Sequence, residues 1–120
     1  MKILLRILTS LALLSFFLNA FAHTSLKDSV PTADAVLSGT PKELTLNFAK
    51  AVRLAKITLN EKLGGPVAID FKPSVQASTI FSIILPLLST GYYTVIWTVI
   101  GSDGHKVSGD FNFTVSDQVK

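Results

Sequence analysis

From Leu44 onward the chain alternates apolar and polar residues with a period of two. Leu44, Leu46 and Phe48 are interleaved with Thr45 and Asn47, the pattern of a half-buried strand. Ala55 to Asn60 repeats it with Ile57 and Leu59 inward. Gly64-Gly65-Pro66 reads as a turn, and Val67 to Phe71 as a short run after it. Ser78 to Leu85 is a further strand, ended by Pro86 and followed by a turn around Ser89-Thr90-Gly91.

Tyr92 to Ile100, rich in β-branched and aromatic residues, gives the strongest strand signal. Tyr93, Val95, Trp97 and Val99 share one face, and Ile96 and Ile100 imply partial burial of the other. In the last strand, Gly109 to Val115, Phe111, Phe113 and Val115 alternate with Asp110, Asn112 and Thr114. This spacing predicts an all-β domain of about seven strands, an Ig-like Greek-key β-sandwich, with a small closed barrel as the competing architecture. Trp97, an aromatic on a central strand, is read as core.

Residues 1–22 break the pattern. Lys2 and Arg6 precede an apolar stretch from Ile7 to Leu18, and Ala20-Phe21-Ala22 is the small-x-small sequence cut by signal peptidase. The uncharged stretch Ile7–Ala22 is shorter than the roughly 20 residues of a spanning helix. Residues 1–22 are therefore expected to be a cleaved secretory signal, and 23–120 one domain. Removing the signal also alters the charge. Of 11 Lys and Arg in the chain, nine lie after residue 22, against eight Asp and Glu, so nothing suggests nucleic acid as a partner.

Candidate chemistry is narrow. The chain has no cysteine, and its one methionine is Met1, so thiolate and thioether ligands are absent from residues 23–120. The two histidines are His23 and His105. Cleavage after Ala22 would give His23 a free α-amino group beside its imidazole, a bidentate nitrogen chelate. Both groups shed protons near neutral pH. His105 follows Asp103 and Gly104; in an extended segment, side chains two apart point the same way, and Gly104 between them permits a tight bend, so acid and imidazole would converge. Ser102-Asp103-Gly104 is also an ordinary turn sequence. Three nitrogens and one oxygen suit tetragonal Cu(II), and zinc accepts the same donors in tetrahedral form. Ser102 has no spare histidine to serve as its base, which removes a hydrolytic triad.

On these residues the chain resembles the CopC family of periplasmic copper-resistance and copper-carrier proteins. The likeness runs through His23, Leu26, Ser29, Pro31, Pro41 and Leu44–Phe48. It continues through Gly91–Trp97, Ser102-Asp103-Gly104-His105 and Gly109–Val115. It implies a metal-binding protein rather than an enzyme, with one Cu(II) per chain held by His23, Asp103 and His105. It also implies a periplasmic location and a CopD-type inner-membrane copper transporter as partner. A methionine-rich Cu(I) site, present in some members, is not expected here, and a monomer is. Thr24 departs from the small apolar residue common at that position. Two other functions stay open at the level of sequence. One is a copper histidine-brace oxidase or monooxygenase; the other is a structural sandwich domain in which the Asp-Gly-His loop is only a turn.

Overall fold

The structure is a computed structural model that describes residues 26–117. Residues 1–22 and His23 lie outside the described residues. Seven strands follow one another: β1 (Leu26–Val30), β2 (Ala35–Leu37), β3 (Glu43–Glu61), β4 (Gly65–Val67), β5 (Ser78–Ile84), β6 (Gly91–Ile100) and β7 (Lys106–Val115). There is no helix among the described residues. The all-β sandwich expected from the alternation is present.

The long strand β3 organises both sheets. Its first part pairs with β1 and β5, Leu46 standing opposite Ser29 on one side and Phe81 on the other. Its second part pairs with β6 and β4, Ile57 opposite Trp97 and Leu59 opposite Val67. β6 then pairs with β7, and β7 carries the parallel strand β2. Strands β1, β5, β4 and β2 leave open edges, so this is a two-sheet sandwich rather than a closed barrel.

β3 passes from one sheet to the other at Ala49-Lys50-Ala51, three consecutive exposed residues where its alternation lapses. Both ends of β3 lie at one pole of the molecule. Leu85 N–H bonds the Lys42 carbonyl and Leu88 N–H the Thr40 hydroxyl, both at 2.9 Å, while Leu87 and Leu88 line one recess with Glu61, Gly64 and Tyr93. The corner Ala49–Ala51 therefore lies at the other pole. A second irregularity falls at Ala55, where β3 has one residue more than β6: Leu54 faces Val99, but Lys56 faces Thr98. This bulge reverses the phase of the strand, from buried Val52 and Leu54 to buried Ile57 and Leu59.

Side chains from both sheets meet in one core that includes Leu44, Leu46, Phe48, Leu54, Val95, Trp97, Phe111 and Phe113. Each such side chain removed from water contributes about 1.5–3 kcal/mol, which is how a domain without disulfides is held together. Tyr93 stacks on Phe113 at 5.3 Å, and its hydroxyl donates to the Ser89 carbonyl at 2.6 Å. Phe48 meets Trp97 edge to face at 5.2 Å. Trp97 is 5% exposed and packs in the core as expected, although its indole N–H has no hydrogen-bond partner.

Two expectations are corrected. Gly65 and Pro66 belong to β4, paired with Glu61 and Asn60, so the turn is Lys62-Leu63-Gly64. It closes because the Glu61 carboxylate accepts the N–H groups of Leu63 and Gly64, both at 3.0 Å, contacts that lower its pKa. The run Val67–Phe71 is strand only at Val67; Ile69 and Phe71 pack against the core from irregular chain. The partial burial expected on the other face of β6 is present at Ile100, which is half-buried, while Ile96 is 42% exposed.

Candidate metal centre

The loop between β6 and β7 closes on itself through backbone bonds. Gly101 N–H reaches the His105 carbonyl at 2.9 Å, and Gly104 N–H the Gly101 carbonyl at 3.0 Å. Gly104 takes φ of +85°, a left-handed conformation that glycine adopts without a Cβ penalty. The Asp103 carboxylate then spans the turn. Oδ1 accepts the His105 N–H at 3.1 Å, and Oδ2 lies 2.7 Å from His105 Nδ1. Acid and imidazole do converge, but through this turn and not through the extended geometry expected from their spacing.

The pair is exposed, at 84% for the His105 side chain and 66% for Asp103. A surface pair of this kind adds little to stability, so its geometry matters mainly for what it presents to a ligand. The hydrogen bond and charge of Asp103 raise the His105 pKa above its ordinary value. The same hydrogen bond, with that from the His105 backbone N–H, lowers the Asp103 pKa. With Nδ1 on the carboxylate, the ring presents Nε2 outward. Each carboxylate oxygen keeps lone-pair capacity for a further partner.

Across the loop stands the β3 corner. Lys50, Ala51 and Val52 form one wall of a recess of about 160 Å³, and Ser102, Asp103 and His105 form the other. A larger, mostly apolar cleft of about 580 Å³ lies between β5 and the chain around Phe71, and it contains no histidine. Among the described residues, no three His, Cys, Asp or Glu side chains gather in one place. Asp103 and His105 alone are thus an incomplete site. His23, the third residue expected there, is outside the described residues.

The fold and loop define a small two-sheet β-sandwich with an exposed acid–imidazole pair at one pole. Residues 26–116 match the CopC domain, and the chain belongs to the CopC family of copper-resistance proteins. It is 32% identical to copper resistance protein C of Escherichia coli, over 91% of this chain and 94% of that one. It is 35% identical to protein YobA of Escherichia coli K12, over 81% and 82% of the two chains. The crystal structure of CopC from Methylosinus trichosporium OB3b superposes with a TM-score of 0.68 at 27% identity, covering 82% of this chain and 98% of that one. Members of this family are copper-binding resistance proteins rather than enzymes, which sets aside the oxidase and weighs against a metal-free structural domain.

Proposed function

We propose that the chain is a periplasmic Cu(II) carrier that binds one ion per molecule as a monomer. It buffers copper outside the cytoplasm or hands it to a CopD-type transporter in the inner membrane. Residues 1–22 act as the export signal, and their removal creates the site. His23 supplies its α-amine and imidazole, His105 its Nε2, and Asp103 a carboxylate oxygen.

The observation that carries this reading is the Asp103–His105 pair, held at 2.7 Å and facing the β3 corner. The course of β1 supports the third ligand. Leu26 stands opposite Phe48, and β3 continues from there to Lys50–Val52, the far wall of the recess. His23 precedes Leu26 by three residues, a reach of up to about 10 Å in extended chain. Nitrogen and oxygen donors without sulfur favour Cu(II) over Cu(I). Met1 is the chain's one methionine, so a thioether-based Cu(I) site is not part of the proposal.

The test compares a chain beginning at His23 with one carrying Gly-Ser before it. The extension converts the amine to an amide and leaves both imidazoles in place. Cu(II) affinity measured by chelator competition should fall sharply in the extended chain, with loss of one nitrogen from the electron paramagnetic resonance hyperfine pattern. Equal affinities and spectra would remove His23 from the site.

A further inference from the structure

Beside the copper pole, the outer face of the second sheet carries an ordered set of cations. Arg53, Ile100 and Lys106 stand opposite one another across β3, β6 and β7. The next outward row is Lys56, Thr98 and Ser108, where the two hydroxyls hydrogen-bond at 2.8 Å. Arg53 and Lys56 are three residues apart, and in a regular strand they would point to opposite faces. The extra residue at Ala55 turns both outward. Lys50, exposed at the corner, extends the patch to the edge of the recess.

These cations are not engaged within the molecule. The one ion pair among the described residues is His105–Asp103, so Lys50, Arg53, Lys56 and Lys106 are exposed and have no carboxylate partner. Nor does the patch reflect bulk charge, because cations and acids after residue 22 nearly balance. The opposite pole carries Glu43, Glu61 and Asp117 with Lys42 and Lys62. At the other end these four cations stand against Asp103, which is paired with His105, and Asp110 lies one row beyond Ser108 on the same face, so cations exceed acids there. Rows two residues apart lie about 6.6 Å from each other, close to the spacing of alternate side chains on an extended acidic segment. None of the most exposed large apolar side chains lies in the two cationic rows or on the recess wall, which disfavours insertion into a lipid surface.

We propose that Arg53, Lys56 and Lys106, with Lys50 at the rim, form a docking face for an acidic segment of the protein that receives the metal. The role of that partner rests on the carrier reading above; the docking itself does not. Carboxylates on the partner pair with the cations and orient it so that the Asp103–His105 loop faces its own ligands. Complementary charge of this kind raises encounter rates about 10- to 1000-fold and weakens with salt.

The test uses a fluorescein-labelled octaglutamate peptide, titrated by anisotropy against the chain beginning at His23. The variants are Arg53→Glu/Lys106→Glu and, as a control at the other pole, Lys42→Glu/Lys62→Glu. Copper stoichiometry and circular dichroism are recorded for each. The proposal expects peptide binding that falls with salt, drops at least about tenfold in the first variant, and changes several-fold less in the second. Equal losses in both variants would overturn it, since net charge alone would then explain binding. So would tighter binding to vesicles of equal phosphatidylglycerol and phosphatidylcholine than to the peptide, which would make the face a membrane contact. Failure of the chain to bind copper, with peptide binding intact, would remove the carrier reading and leave the docking face standing.

Discussion

The loop that carries Asp103 and His105 and the strand it leads into use glycine for opposite reasons. At Gly109, in β7, an added Cβ would lie 2.3 Å from Cζ2 of Trp97, so the indole occupies the space that a side chain would need. At Gly104, in the loop, nothing lies within 4 Å of an added Cβ, and the backbone at φ +85° is what requires glycine. One glycine belongs to a close-packed interior and the other to an exposed turn. The contrast shows how the molecule divides its tasks. Stability resides in the sandwich, while the Asp103–His105 pair sits where it contributes almost nothing to it.

Four substitutions probe that division. Trp97→Ala should have the largest effect, about 3–5 kcal/mol of stability by urea denaturation, because it empties the space beside Phe48 and Gly109. Its copper affinity, measured where the protein remains folded, should match the parent; a parallel loss would tie the core to the site. Gly109→Ala should cost about 1–3 kcal/mol through overpacking against the indole, again with copper affinity retained. Gly104→Ala should cost roughly 1–2 kcal/mol for its left-handed backbone. Unlike the core variants, it should also weaken copper binding, because the turn sets the Asp103–His105 geometry.

Asp103→Asn should have the smallest effect on stability, with no measurable change in the thermal midpoint, yet lower copper affinity about 10- to 100-fold. It should also shift the titration of His105. The raised His105 pKa stabilises the fold fully below the ordinary imidazole value of about 6.5, and that contribution fades as pH rises through the raised value. The lowered Asp103 pKa acts above the ordinary carboxylate value of about 3.9, and its contribution fades as pH falls through the depressed one. Both therefore operate together between about pH 4 and 6.5. Proton NMR of His105 Cε1–H should show its midpoint falling toward the ordinary value in Asp103→Asn. An unchanged midpoint would mean that the pair is not formed in solution.

Alternation made the Phe111–Val115 part of β7 legible, with one face buried and the other solvated, and β-branched and aromatic residues made β6 so. β5 was legible through its bounding Pro86 and turn, since its apolar residues do not alternate and Ile80 and Ile84 are exposed. β3 was legible only in pieces. The exposed corner at Ala49–Ala51 and the bulge at Ala55 each interrupt its period, although its hydrogen-bonded course is continuous. β1 and β2 escaped a reading by periodicity because they are short edge strands, and Ser29, not an apolar residue, is the buried side chain of β1. Ile69 and Phe71 misled because burial alone does not make a strand; their segment lies outside the ladders.

The candidate site divides in the same way. Residue type and order alone defined the candidate donors: two histidines, no sulfur after Met1, and an aspartate two residues before His105. They also placed turn-forming Gly104 between the two, and the bend it permits is the one observed. The tertiary structure places Lys50–Val52 across from this loop, because β3 turns from one sheet into the other at the same pole. It alone decided that Arg53 and Lys56 share a face, because one bulged residue inverts the strand's phase. Composition and period act over a few residues of chain, whereas the opposing wall and the cationic rows are made by pairings between distant segments.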